Sequence, residues 1–185
     1  MKRIFDIVFS LIGLIVFMPV IIFICLLVIL KEKSNPLYLA KRVGVKGKIF
    51  KMFKLRTMII NADLNGVNST SQSDSRITKI GYFLRKYKLD ELPQFLNIFI
   101  GQMSFVGPRP NVKKDVDLYT YIEKDLLSIK PGITDFASIV FSDEALILEN
   151  SKNPNLSYNQ LIRPGKSLLG LFYVKKKNIF LDICL

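Results

Sequence analysis

The feature that most constrains this chain is an uncharged apolar stretch near its start. From Ile7 to Leu30 (IVFSLIGLIVFMPVIIFICLLVIL) there is no Asp, Glu, Lys or Arg over 24 residues. At about 1.5 Å per residue a straight helix of that length extends about 36 Å, enough for a bilayer core of about 30 Å. Two details argue against a simple span. Lys2 and Arg3 precede the run and Lys31 and Lys33 follow it, so the positive-inside rule keeps both flanks cytoplasmic. Pro19 lies near the middle, where it removes a backbone donor and clashes with the preceding turn. A re-entrant helix that breaks at Met18-Pro19 and returns to its own face accommodates both facts. Its broken backbone then needs local partners, such as the Ser10 hydroxyl, water or protein. A single span, a soluble core helix and a cleaved signal peptide are the competing readings. The last is disfavoured by the length of the run and by the lack of a small-x-small cleavage site. Asp6, at the edge of the run, is expected near the headgroups, paired with Arg3, or as a solvated helix cap.

Composition narrows the chemistry. The chain has 185 residues with no histidine and no tryptophan, and its 27 Lys plus Arg against 15 Asp plus Glu give a formal charge of +12. Half its residues are hydrophobic, which excludes a disordered chain. Without histidine there is no His triad, His general base or His-ligated zinc. Cys25 and Cys184 are too few and too far apart for a disulfide framework or a zinc cluster. Charge chemistry therefore falls to Asp, Glu, Lys and Arg.

Beyond the run, Leu37–Leu39 and Ile49–Met58 read as strands of a hairpin turning at Gly44 and Gly47, with an uncertain register. Seven Lys or Arg residues lie between Lys41 and Arg56. Residues 61–75 are polar and aperiodic and read as a loop. Arg76–Lys88 has helical apolar spacing, and a second helix is expected from Asp90 or Glu91 to Ile100, with Pro93 in its first turn and Gly101 as its stop. VGPRP at 106–110 reads as a rigid turn, Lys113–Ile129 as one helix ended by Pro131-Gly132, Ile133–Phe141 as strand-containing and Asp143–Glu149 as a short helix. The fold class is therefore α+β, mainly helical with a small β-hairpin. A membrane segment over 1–33 is followed by a cytoplasmic domain over 34–185 packed on the membrane surface.

The densest polar constellation is KYKLDELPQFLNIFIGQMSFVGPRP. Asp90 and Glu91 are adjacent, and at a helix start their side chains diverge by about 100°, one turn being about 3.6 residues. One carboxylate can attack phosphorus while the other holds a hard divalent ion; both can equally be N-terminal capping acids. Arg109, locked between Pro108 and Pro110, is a pre-set fork for phosphate. Arg42, Arg56, Arg76 and Arg85 can add to an anion pocket or stand solvated. The basic balance also suits an anionic membrane surface. It permits nucleic acid, but no zinc spacing, RNP-like strand or GXXG loop supports that partner, and no P-loop or GxSxG is present.

Taken together, KRIFDIVFS at 2–10, Pro19, RVGVKGKIFKMFKLRTM at 42–58, DSRITKIGYFLRKYKLDELPQFLNIFIGQMSFVGPRP at 74–110 and KPGITDFAS at 130–138 closely resemble the bacterial sugar transferase family, the monotopic polyprenyl-phosphate phosphoglycosyl transferases. The ordered motifs cover most of the chain. The resemblance implies transfer of a sugar 1-phosphate from a UDP-sugar to undecaprenyl phosphate with release of UMP, the initiating membrane step of capsule, lipopolysaccharide, exopolysaccharide or glycoprotein glycan assembly. It implies that Asp90 is the nucleophile of a covalent acyl-phosphate intermediate and that Glu91 helps bind Mg²⁺. It associates Pro108, Arg109 and Pro110 with the polyprenyl phosphate and nucleotide, and places Arg85 as a phosphate-binding arginine. The implied location is the bacterial cytoplasmic membrane, with the catalytic part facing the cytoplasm.

Departures are Met18 where many members place Ser before the proline, Ala40 in place of Gln, and Asp135-Phe136-Ala137 where many have Gly-Trp-Ala. The resemblance also leads one to expect more chain beyond FLDICL, with a final surface-associated helix. Expected partners are a UDP-sugar, undecaprenyl phosphate, membrane lipid, a second copy of the chain and downstream glycosyltransferases; nucleic acid is not among them. The identity of the sugar and the glycan is not readable from the residues. The rival reading is a non-catalytic membrane scaffold on the same fold.

Overall fold

The computed structural model describes residues 1–62, 74–143, 147–148 and 154–185. The expected loop over 61–75 and the helix over Asp143–Glu149 fall largely outside them. The break expected at Met18-Pro19 is not seen: α1 runs from Lys2 to Glu32 as one helix through Pro19 and ends at Lys33 in the left-handed conformation. It is long and apolar enough to cross a membrane. Ile15, Val16, Phe23 and Leu30 all stand exposed on it. Water does not favour such a surface on so long a helix, and lipid does.

One face of α1 nevertheless touches the rest of the molecule at both ends. Near its start, Asp6 is buried and its Oδ1 accepts hydrogen bonds from Ser104 Oγ at 3.0 Å and Phe105 N–H at 3.2 Å. Asp6 is thus neither a solvated cap nor a partner of Arg3, because unpaired strand and side-chain donors lie beneath it. Arg3 instead donates to the Ile98 and Phe99 carbonyls at 2.6 and 2.7 Å. These are terminal carbonyls of α3 (Gln94–Phe99), where a cation also suits the helix dipole. Midway, Gly13 and Phe17 meet the Phe95 ring. Near its end, Ile24 and Val28 join Leu55 and Leu84 in one apolar cluster. The intervals between Asp6, Ser10, Gly13, Phe17, Ile21, Ile24 and Val28 are the three- and four-residue steps of a single helical face. Ser10 is buried, and its hydroxyl donates to Ile7 O at 3.1 Å, one turn back rather than at the proline.

The hairpin is formed by β1 (Leu37–Val43) and β2 (Ile49–Leu55), antiparallel, in the register Leu37↔Leu55 to Val43↔Ile49. β1 is longer than expected and β2 shorter. Ala40, Phe50 and Met52 bury against Ile98 and Met103 from around α3. α2 (Lys79–Lys86) starts later than its apolar spacing suggests, because the Thr78 hydroxyl caps it by accepting from Gly81 N–H at 2.9 Å. The expected helix from Asp90 is split into a one-turn 3₁₀ segment, Leu89–Glu91, and α3.

The expected helix Lys113–Ile129 is also broken, into α4 (Lys113–Val116) and a 3₁₀ segment, Glu123–Ser128. The cause is a reciprocal cap: Glu123 Oε2 accepts from Thr120 N–H at 2.8 Å and Thr120 Oγ1 from Glu123 N–H at 3.3 Å, which starts a new turn where the old one would continue. β3 (Ser104–Val106) pairs in parallel with β4 (Gly132–Thr134), a short sheet not foreseen in the sequence. Only three residues of the expected Ile133–Phe141 strand are extended or nearly so; Asp135 then caps α5 (Phe136–Val140). The chain closes with α6 (Pro154–Ser157), a π-helical turn at Tyr158–Ile162, α7 (Arg163–Lys176) and α8 (Ile179–Cys184). The protein is thus a mixed α/β structure, mostly helical, with small sheets and an apolar N-terminal helix.

Candidate active site

The backbone geometry of the site starts where α2 ends. Lys88 adopts φ +56°, the left-handed conformation that commonly stops a helix. The stop redirects the chain into the Leu89–Glu91 turn and carries both carboxylates inward, leaving Asp90 and Glu91 6% and 8% exposed. Neither carboxylate makes a capping bond. They face cations instead. Lys54 Nζ lies 2.9 Å from Glu91 Oε1 and 3.4 Å from Asp90 Oδ2. Arg109 engages Glu91 with both terminal nitrogens: Nη2 pairs with Oε1, and Nη1 donates to Oε2 at 3.4 Å.

Burial by itself would raise the Glu91 carboxyl, but the charges of Arg109 and Lys54 outweigh it and hold the group well below the usual glutamate range. Glu91 in turn raises Arg109, against the effect of burial. Arg85 sits beside the dyad with its Nε donating to Thr57 Oγ1 at 2.8 Å. Burial lowers it, and the charge of Asp90 partly restores it.

Two elements lock this arrangement. Asn97 on α3 is fully buried. Its Oδ1 accepts from Phe53 N–H at 2.9 Å and its Nδ2 donates to Lys51 O at 2.8 Å, which ties the segment after the dyad to the strand that carries Lys54. On the other side, Pro108 and Pro110 are buried while Arg109 projects between them with its side chain 40% exposed. Arg109 N–H donates to Asp135 Oδ2 at 3.3 Å. The turn fits only because two glycines meet. A Cβ on Gly132 would lie 2.2 Å from Gly107 N, and one on Gly107 would lie 2.4 Å from Lys130 O. A cavity of about 50 Å³ opens beside Arg109, lined also by Asp135, Ser138, Tyr158, Arg163 and Lys166.

The structure therefore brings together Asp90, Glu91, Arg109 and Arg85, with Pro108 and Pro110 as the frame of Arg109. Three other arginines are engaged nearby or elsewhere. Arg76 is buried, pairs with Asp74 at 2.6 Å, and donates to Ala62 O at 3.0 Å. Arg56 Nε donates to Asn35 O at 2.6 Å, ahead of β1. Arg42, on β1, has Nη1 3.0 Å from Lys41 O and its charge reaches Asp115. Sequence reasoning missed Lys54, Asn97 and Asp135. A signal for Lys54 exists: Phe50, Met52 and Lys54 alternate along β2, so a lysine occupies the face that otherwise buries apolar side chains.

A family model described as bacterial sugar transferase matches residues 1–185, and the chain belongs to that family. It is 38% identical over 142 residues to the UDP-glucose:undecaprenyl-phosphate glucose-1-phosphate transferase of Escherichia coli (strain K12), an alignment covering 75% of this chain and 31% of the relative. The UDP-N-acetylgalactosamine-undecaprenyl-phosphate N-acetylgalactosaminephosphotransferase of Aeromonas hydrophila is 33% identical over 144 residues, 75% of this chain and 34% of its own. Galactosyl transferase CpsE of Streptococcus agalactiae serotype III (strain NEM316) is 33% identical over 193 residues, 98% of this chain and 39% of its own. The chain thus spans well under half the length of these three curated relatives.

Proposed function

We propose that the protein transfers a sugar 1-phosphate from a UDP-sugar to a polyprenyl phosphate, undecaprenyl phosphate in bacteria, and releases UMP. The observation that carries this reading is the buried Asp90–Glu91 dyad, held between Lys54 and Arg109 in a chain that begins with a lipid-compatible helix. The relatives' names describe transferases that join these two substrate classes.

In this scheme an oxygen of Asp90 attacks the sugar-bearing phosphorus of the donor. The new O–P bond forms as the bond from that phosphorus to the bridging oxygen breaks, and UMP leaves with the electron pair. A phosphate oxygen of the lipid then attacks the same phosphorus and expels the Asp90 carboxylate, leaving a polyprenyl diphosphate sugar. Asp90 Oδ1 makes no hydrogen bond among the described residues, so it is the oxygen available for attack, while Oδ2 faces Lys54. Arg109, Lys54 and Arg85 supply positive charge to phosphoryl oxygens in a largely buried site, where it acts more strongly than in water.

The carboxylates are hard oxygen donors, and the Lys54 ammonium between them marks a place where they share positive charge. Among the described residues there is no cluster of three or more metal-ligating side chains. Mg²⁺ commonly needs only one or two carboxylates, since waters and substrate phosphates complete its shell. The residues therefore suit Mg²⁺ on Glu91 with Asp90 beside it, where it would neutralise charge on the phosphoryl group. Lys54 and Arg109 would then exchange Glu91 for donor phosphate oxygens.

The test is UMP release from protein in nanodiscs with undecaprenyl phosphate, Mg²⁺ and a panel of UDP-sugars. Release with one donor, abolished by Asp90→Asn and by chelation and restored by added Mg²⁺, is the expected result. Full release from Asp90→Asn would remove Asp90 as nucleophile, and no release with any donor would favour a scaffold.

A further inference from the structure

The turn that carries Arg109 is anchored residue by residue. Gly107 N–H donates to Thr134 O at 3.1 Å, and Pro108 O accepts from Gly132 N–H at 3.1 Å. Arg109 N–H reaches Asp135 at 3.3 Å. Asn111 O accepts from Val43 N–H at 2.9 Å. The head of the turn, the Val106 carbonyl, is held differently, by a side chain from a distant element. Lys2 Nζ in the first turn of α1 donates to it at 3.1 Å, and the Tyr173 hydroxyl of α7, 3.2 Å from the same oxygen, positions Lys2 by accepting from it.

These two groups belong to a closed knot. Lys2 Nζ also donates to Tyr173 Oη at 3.0 Å and to Asp182 Oδ2 of α8 at 2.6 Å, which uses all three of its protons. Tyr173 donates its single proton to Asp182 Oδ1. Tyr173 is fully buried and Asp182 is 5% exposed. Nothing in the chemistry of phosphoryl transfer uses these groups. Burial, then Asp182, keeps the Tyr173 hydroxyl protonated far above its ordinary range, so it stays a donor. A buried polar knot is favourable only when each member is satisfied, and each one here is.

We infer that Lys2, Tyr173 and Asp182 are positioning residues: they tie the foot of the membrane helix to the Val106 carbonyl and thereby set where Arg109 stands against Glu91. Seating of α1 and geometry of the phosphate-binding arginine are then mechanically linked. The inference rests on the proposed reading of Arg109 as a phosphate-binding residue.

The experiment uses the full chain in nanodiscs and has two readouts. The first is hydrogen exchange. Tyr173→Phe is expected to speed exchange in the peptide containing Gly107 and Arg109 while leaving the β1–β2 hairpin unchanged. Equal acceleration in both, or none in the turn, would overturn the inference, and neither result depends on enzymatic activity. The second is a double-mutant cycle on UMP release, normalised to folded protein. Tyr173→Phe is expected to lower kcat on the order of tenfold to a hundredfold when Arg109 is intact, and to have little further effect in an Arg109→Lys background. Equal fold losses in both backgrounds would show that the knot acts only on general stability. Lys2→Met is the second variant, expected to reproduce both results if Tyr173→Phe does not fold. Failure of the unaltered protein to release UMP from any donor would count against the proposed reaction, and the exchange readout would still decide the inference.

Discussion

At the residue scale, function turns on how few charges are placed against each other and how well they are enclosed. Asp90 and Glu91 are adjacent in sequence, yet they differ in partners: Glu91 meets both Arg109 and Lys54, whereas Asp90 meets Lys54 through one oxygen. The cations around Glu91 make a pH prediction. The folded pKa of Glu91 lies below its ordinary 4.5, so below that pH the unfolded chain takes up the proton first. The stabilisation from Glu91 is complete above 4.5 and is lost as pH falls toward the folded value. Glu91→Gln should therefore weaken the dependence of stability on pH below this point. Denaturant midpoints of both proteins at about pH 6 and about pH 3.5 would check it; parallel slopes would mean that Glu91 carries no such linkage. The adjacent acids were visible in sequence, but alone they read equally well as capping residues, and only the ordered resemblance around them implied a reactive dyad. Its escape from capping was not legible, because the cations that draw it inward come from residues 54 and 109.

At the scale of elements, local signals decided helix starts better than helix lengths. Thr78, Asp135 and Asn178 each cap a helix through the side chain, and each is a residue type that does so by local chemistry. The 113–129 region shows the limit: its apolar spacing continues, but the Thr120–Glu123 cap interrupts it. The β3–β4 sheet was not visible, since two three-residue strands far apart in sequence carry almost no periodicity. What allows them to pair is the contact of Gly107 with Gly132. Gly132→Ala should destabilise the protein by about 1–3 kcal/mol, the usual cost of overpacking. It should also lower UMP release beyond the loss of folded protein, because the added methyl pushes on the turn that holds Arg109. Thermal unfolding beside normalised turnover would show this, and an unchanged melting temperature would contradict it.

At the scale of the whole molecule, one face of α1 packs on the body at its start, middle and end, while its other faces expose apolar side chains along its length. We propose that both flanks of this helix lie on the cytoplasmic side, because Lys2 and Arg3 precede the apolar run and Lys31 and Lys33 follow it. Cysteines placed at residues 2 and 35 should both be labelled from the cytoplasmic side of inverted vesicles. Labelling from opposite faces would establish a span. A nucleophile held at the membrane face meets a lipid phosphate without drawing its chain into water, which would cost about 0.8 kcal/mol for each exposed CH₂.

The sequence by itself determined the features that depend on neighbours along the chain. These are the apolar run, the hairpin with its glycine turn, the rigid proline-flanked arginine and the adjacent acids, and their ordered resemblance to one family. Only the tertiary structure decided which charges meet. Lys54 joins the dyad because β2 turns its apolar face inward, Asp6 leaves the lipid edge because Ser104 and Phe105 offer it donors, and Lys2 reaches Asp182 across nearly the whole length of the chain. The reason is physical. Backbone preferences act over a few residues, so a linear reading can follow them. The choice of partner for a buried charge is set by desolvation and by whatever opposite charge the fold carries to it, and that partner can come from anywhere in the chain.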